Sequence, residues 1–280
     1  MFSPSRSYEA GSSFRPAFFF LAPDQRRALS AFYGYARAVD DIADDPAAAP
    51  QQKEALLQTW RTRIEALFSG AAAKNPLEAD LAVAIRTFSM RKANFLLTLD
   101  GVSMDIHKYE YATFDELKYY MYRVAGAVGL ACLEIFRYRG EQGAAIAENL
   151  GYAVQLTNII RDVFEDAACG RIYLPLGDLE MFCCDPRVFK NPVCSGNFID
   201  LIKFEAKRAR GFYAAARELA AGPEKKKLLS AFIMAEVYSG LLDKIEARGF
   251  KIAGGRVRLG GFGKIKAIYK AWRFIKKAKG

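Results

Sequence analysis

Apolar residues recur at steps of three and four along most of the chain, the spacing of one face of an α-helix, and the alternation expected of strands is scarce. Pro23 suits a first helical turn and opens a helix through Ala43, which Pro46 stops. A second helix runs from about Gln51 to Phe68, with Leu56, Leu57, Trp60, Ile64 and Leu67 on one face. Asn75-Pro76 starts the next, Phe114 to Phe136 reads as one long apolar helix, and Ala144 to Ala168 as another that Gly170 ends. The stretch from Pro175 to Phe198 is interrupted by Pro175, Gly177, Pro186, Pro192 and Gly196 and reads as a loop with a short helix. Residues 199–221 and 223–248 complete a bundle. At 280 residues the chain has room for one large domain or two small ones, but no Pro/Gly/Ser-rich linker divides it, so the pattern predicts one all-α domain over 1–280. Within the long apolar helix, Ala125-Gly126-Ala127-Val128-Gly129 is unusual, since each glycine costs roughly 0.5–1 kcal/mol relative to alanine. That cost implies the close approach of another helix or of a ligand.

Two polar stripes break the apolar pattern. Tyr33, Arg37, Asp40 and Asp44 run at steps of four, three and four, and Gln155, Asn158, Asp162 and Asp166 at steps of three, four and four. On a helix, carboxylates four residues apart sit roughly 5–6 Å apart at Cβ and repel one another unless a cation lies between them. Mg²⁺ is such a cation: it takes oxygen ligands and is commonly held by one or two carboxylates together with substrate phosphates. A solvated outer face is the alternative for a single acidic pair. It gives no reason for two pairs to be preceded by polar residues in the same order, flanked by Ala36, Val39 and Ile42 on one helix and Val154, Leu156, Ile159 and Ile160 on the other. The stripes therefore point to a diphosphate held between helices.

Composition narrows the classes. Hydrophobic residues make up 52% of the chain, with 21 Phe and 14 Tyr, yet the longest apolar cluster near the start, Ala17 to Ala22, is far short of the ~20 residues of a membrane span. No secretory signal pattern is present, and the five cysteines lack metal-ligand spacing, so a cytoplasmic protein with reduced thiols is expected. The single histidine, His107, excludes histidine metal sites and Ser-His triads and reads as a surface or loop residue. Phe18-Phe19-Phe20 reads as core. Ten of the 41 basic residues fall in 251–280, which holds no Asp or Glu; removing them leaves 31 against 31 acidic residues, so the formal +10 lies entirely in this tail. From about Lys264, Ile265, Ile268, Tyr269, Trp272, Phe274 and Ile275 among lysines predict a basic amphipathic helix. Against a plain solvated end stand two readings: the tail lies on an anionic membrane surface, peripheral on the inner face of the cell membrane, or its first arginines, Arg256 and Arg258, help close a diphosphate site. No motif supports nucleic-acid binding.

Ser13-Phe14, Arg37-Ala38-Val39-Asp40-Asp41-Ile42-Ala43-Asp44, Tyr120-Met121-Tyr122-Arg123-Val124-Ala125-Gly126-Ala127-Val128-Gly129, and Gln155-Leu156-Thr157-Asn158-Ile159-Ile160-Arg161-Asp162 through Gly170-Arg171-Ile172-Tyr173-Leu174-Pro175 resemble the squalene and phytoene synthases, in order and over nearly the whole chain. Within that family Gly101-Val102-Ser103-Met104-Asp105, Tyr111 to Leu117, and Glu165-Asp166-Ala167-Ala168-Cys169-Gly170-Arg171 look most like the bacterial presqualene diphosphate synthases of hopanoid synthesis. Phytoene and dehydrosqualene synthases share the same catalytic segments.

The resemblance implies an isoprenoid-synthase bundle with a central apolar cavity and a head-to-head condensation of two farnesyl diphosphates. It implies Mg²⁺, with Mn²⁺ as a substitute, on Asp40, Asp44, Asp162 and Asp166. It places Ser13, Arg37 and Arg171 on diphosphate oxygens, Gln155 and Asn158 beside the second metal cluster, and Tyr33, Tyr120, Tyr173 and Tyr238 along the cavity. In such a reaction an allylic cation forms as diphosphate leaves, and aromatic faces in a dry cavity shield it. The released diphosphate or a cavity tyrosine then takes the proton. NADPH enters only if the product is carried on to squalene, and downstream isoprenoid enzymes are natural partners. A catalytically silent scaffold homologue is the alternative of another class, and it would be expected to lose metal ligands that are intact here.

Overall fold

The computed structural model describes Tyr8 and residues 15–107, 110–189, 194–253 and 255–277. Twelve α-helices follow one another among these residues: α1 (Arg15–Phe18), α2 (Pro23–Asp44), α3 (Pro50–Phe68), α4 (Pro76–Phe88), α5 (Lys92–His107), α6 (Phe114–Met121), α7 (Ala127–Ile135), α8 (Gly143–Ala168), α9 (Leu176–Met181), α10 (Gly196–Leu219), α11 (Leu229–Ala247) and α12 (Gly261–Lys276). Prolines at the first helical positions of α2, α3 and α4 set the entry angle where the amide hydrogens need no partner, and Asn75 caps α4 by accepting from the Glu78 amide.

Two groups of helices build the walls. In one, α2, α3 and α5 share an aromatic core: the Phe32 and Phe95 rings meet edge-on at 5.0 Å, Tyr35 and Trp60 at 5.6 Å, and the buried Tyr35 hydroxyl donates to the Phe95 carbonyl at 2.8 Å. Such aromatic pairs contribute roughly 0.5–1.5 kcal/mol each beyond burial alone. In the other, α8 runs between α7, α10 and α11, with the buried Thr157 and Tyr213 hydroxyls 3.1 Å apart across the α8–α10 contact.

The helix expected over Phe114 to Phe136 divides into α6, a π-helical turn over Tyr122–Gly126, and α7. The wider turn carries an extra residue where the glycine-rich run meets its neighbours. A Cβ on Gly151 of α8 would lie 2.8 Å from the Ala125 carbonyl carbon, and one on Gly129 2.8 Å from the Ala147 carbonyl oxygen. Part of the approach inferred from the small residues is thus that of α8, backbone against backbone; Ala125, Val128 and Gly129 also line the central cavity. Two helices had no place in the sequence reading, α1 and α5.

The basic tail also differs from expectation. Its helix begins at Gly261, three residues before Lys264, and its inner side, Ala267 and Ala271, is buried on α11. Phe274 packs on Phe232 at 4.6 Å, with the Lys225 ammonium 3.9 Å and the Arg217 guanidinium 4.7 Å from its ring. The outer side leaves Phe262, Ile265, Tyr269 and Trp272 exposed. Of the three consecutive phenylalanines read as core, only Phe18 is buried; Phe19 and Phe20 are exposed. His107 ends α5 at the surface, 2.5 Å from Glu54.

Candidate active site

The two polar stripes lie on α2 and α8 and line one cavity of about 660 Å³, within the range of about 300–1,000 Å³ common for ligand sites. Tyr33, Arg37, Asp40, Asp44, Tyr120, Gln155, Asn158, Asp162, Asp166, Arg171, Tyr173 and Tyr238 all border it. Ser13 lies outside the described residues. Away from the carboxylates the walls turn apolar, with Phe18, Leu29, Phe32, Val128, Ile146 and Met234.

The two aspartate pairs have the same asymmetry. On α2, Asp40 is open to the cavity, yet the surrounding protein withholds bulk water from it; this burial, and then the charge of Asp44, pushes its carboxyl up to about 7. Asp44 instead holds Arg171 at 2.6 Å, and Arg171 also donates to the Ala43 carbonyl at 3.1 Å. On α8, burial and the neighbouring Asp162 push Asp166 up to about 7, whereas Asp162 is held by two arginines. Arg161 reaches it from the adjacent position at 2.6 Å, and Arg256, from the segment between α11 and α12, at 3.1 and 2.8 Å.

Local chain geometry puts Arg171 where it is. Gly170 ends α8 with φ +83°, its amide bonds the Ala167 carbonyl at 3.0 Å, and the Arg171 amide bonds the Asp166 carbonyl at 2.9 Å. This left-handed closure suits glycine, and it turns the chain back across the helix end toward α2. The chain then runs beside 110–112, where the Leu176 amide bonds the Tyr111 carbonyl at 2.8 Å, and so brings Tyr173 against Tyr111 and Tyr120.

The donor set fits a hard divalent ion. Asn158 Oδ1, one turn before Asp162, is buried and has no hydrogen-bond partner among the described residues, so an oxygen donor stands ready beside the second pair. Among the described residues no three His, Cys, Asp or Glu side chains converge on one point. Each ion would therefore draw two carboxylates, plus Asn158 at the second pair, and complete its shell from water or a ligand. Arg37 is solvent-exposed, pairs with Asp41 at 3.8 Å and is hydrogen-bonded to Tyr33, leaving its guanidinium at the mouth.

Three site residues escaped the sequence reading's assignments. Asp105, in the last turn of α5, accepts from both Tyr120 and Tyr173 at 2.8 Å. Asp105 lies in the segment Gly101 to Asp105 that carries part of the resemblance, and Thr98, Val102 and Asp105 form a helical stripe lining the cavity, but neither assigns it a role. Arg161 sits next to Asp162 in the sequence, and Arg256, expected from the sequence on a diphosphate, pairs with Asp162 instead.

Fold and site define a prenyltransferase, and the chain belongs to the squalene/phytoene synthase family, whose sequence profile matches residues 8–262. The presqualene diphosphate synthase of Zymomonas mobilis subsp. mobilis is 37% identical over 251 residues, covering 86% of this chain and 82% of that protein. A 15-cis-phytoene synthase of Synechocystis sp. is 36% identical, covering 83% and 72%. Among solved structures, a dehydrosqualene synthase in complex with ligand superposes with a TM-score of 0.85 at 25% identity over 96% of this chain and 93% of that one.

Proposed function

We propose that this prenyltransferase condenses two farnesyl diphosphates head to head to presqualene diphosphate, with Mg²⁺ and release of diphosphate. The observation that carries the reading is one cavity with two charge regimes: two carboxylate pairs, each beside an arginine, at one end, and apolar walls at the other. Mg²⁺ on the two pairs would neutralise charge on the departing diphosphate, with Mn²⁺ as a substitute. The chain's own part is to hold and to shield. Arg37, Arg171 and Arg256 offer guanidinium donors to phosphate oxygens, and Gln155 adds an amide. The apolar walls keep water from a cation, toward which Tyr33, Tyr120, Tyr173 and Tyr238 turn aromatic or phenolic surface.

A second reading, condensation of C20 chains as in phytoene synthase, is favoured by the nearly equal likeness to the Synechocystis protein. NADPH would enter only if the enzyme reduces its product to squalene. The test is to incubate purified protein with Mg²⁺ and farnesyl or geranylgeranyl diphosphate, without and then with NADPH, and to identify the products. Presqualene diphosphate from the C15 substrate, unchanged by NADPH, is the expected result; a C40 product from the C20 substrate alone would replace it by the second reading.

We further propose that the exposed side of α12 rests on an anionic membrane at the cytoplasmic face. Phe262, Ile265, Tyr269 and Trp272 form a stripe at helical spacing, and Lys266, Arg273 and Lys276 stand beside it. Among the described residues no helix is long and apolar enough to cross a membrane. Peripheral contact is the arrangement this surface supports, and it would let greasy substrates and products exchange with the bilayer.

A further inference from the structure

We propose that Asp105 is a working part of the cavity, receiving through Tyr120 or Tyr173 the proton lost when the new carbon–carbon bonds close. The inference rests on the head-to-head reading above. Its basis is an arrangement of three side chains from three separate elements: Asp105 from α5, Tyr120 from α6, and Tyr173 from the segment after α8. The Tyr120 hydroxyl donates to Asp105 Oδ2 and the Tyr173 hydroxyl to Oδ1, each at 2.8 Å, and the two phenolic oxygens lie 3.4 Å apart. All three residues border the cavity. Tyr111, fully buried, packs its ring against both tyrosines at 5.5 and 5.9 Å and fixes their positions.

A carboxylate buried in this way is costly. Asp105 is 6% exposed and has no ion pair among the described residues; the charge of Arg171 favours its ionised form, while those of Asp40, Asp44 and Asp166 oppose it. Two phenols that merely needed acceptors would be satisfied by neutral oxygens with a smaller desolvation penalty. What a carboxylate adds is the capacity to take a proton, and burial, offset in part by the two hydrogen bonds, already pushes Asp105 up to about 6. A phenol by itself is a poor base. With its own hydrogen directed at Asp105, a phenolic oxygen keeps a lone pair with which to accept a proton.

The step balances within these groups. A C–H bond on the carbon two bonds from the cationic centre, the former C1 of the first farnesyl group, breaks, and its electron pair forms the bond to the cationic carbon that closes the three-membered ring. The proton goes to a phenolic oxygen while that phenol's hydrogen passes to the Asp105 carboxylate. Asp105 ends neutral and loses the proton to water when product leaves. No oxidant or reductant is required.

Asp105→Asn keeps the shape and one acceptor but cannot take the proton. The experiment measures diphosphate release and cyclopropyl product separately, using wild type, Asp105→Asn and Asp105→Glu. The expected result is that Asp105→Asn still releases diphosphate, yet forms about 10²-fold less cyclopropyl product per diphosphate and diverts the cation to allylic alcohols, with KM little changed and Asp105→Glu restoring part of the ratio. An unchanged ratio in Asp105→Asn overturns the proposal. So does loss of diphosphate release in a folded variant, because it would assign Asp105 to the earlier ionisation. If Asp105→Asn lacks the wild-type circular dichroism, the ratio is measured in the Tyr120→Phe/Tyr173→Phe double variant, where a wild-type value is equally fatal. Failure of the wild type itself to form a coupled product rejects the condensation reading instead.

Discussion

Asp40 and Asp166 occupy matching places on different helices: each is the aspartate of its pair that no arginine holds, and each is pushed up to about 7 with burial as the leading cause. Either carboxylate must ionise to bind a metal, and Asp162 is a ligand in the same proposal. Asp40→Ala or Asp162→Ala should lower kcat/KM by at least about 10²-fold at saturating Mg²⁺ with circular dichroism unchanged. Near-normal turnover in either variant would remove the metal-site argument. The same shift has a consequence for stability. A carboxyl that keeps its proton to about 7 when folded, against an ordinary 3.8, supports the fold below the lower value and loses that contribution as pH rises through the window between them. In metal-free protein, Asp40→Asn should therefore raise Tm at about pH 8 and leave it nearly unchanged at about pH 4. An equal gain at both would trace the effect to something other than titration.

At the scale of elements, the contact between the π-turn and α8 sets where the second stripe points. Gly151→Ala places a methyl 2.8 Å from backbone that cannot rotate aside, so overpacking of about 1–3 kcal/mol is expected, read as a lower Tm. Because α8 carries Asn158, Asp162 and Asp166, activity should fall with it; an unchanged Tm would mean that the helices part freely. The small residues behind this contact were legible in the sequence, but the π-turn was not, since Phe114 to Phe136 keeps an unbroken apolar run and the extra residue is imposed by packing. The aspartate pairs were legible because both members of each share one helix face. Asp105 was not, since its two hydroxyl partners come from other elements. Arg256 joins Asp162 from a stretch without periodicity, 94 residues away in sequence. The inner face of α12 was hidden for a related reason: a run of lysines among apolar residues reads as one amphipathic face, while this helix has a packed side and an exposed apolar side.

For the whole molecule, that two-sidedness changes how membrane contact must be tested. Deleting everything after Gly263 would uncover α11, which carries Tyr238, and would confuse loss of lipid binding with loss of the site. Replacing Phe262, Ile265 and Trp272 with glutamine leaves the packed side alone. This variant should lose cosedimentation with anionic vesicles while keeping its activity in detergent, and the wild-type binding should weaken as salt rises. Equal vesicle binding by variant and wild type would sink the membrane proposal. The basic excess has a longer reach than contact. With 41 basic and 31 acidic residues overall and ten of the basic ones in the last thirty positions, the rest of the chain sums to no net charge. A neutral body with all its excess charge in one terminal stretch has a large dipole moment, and near a negatively charged sheet it experiences a torque as well as an attraction. It would turn before it lands, arriving with α12 foremost, so that orientation is settled during diffusion rather than searched for at the surface.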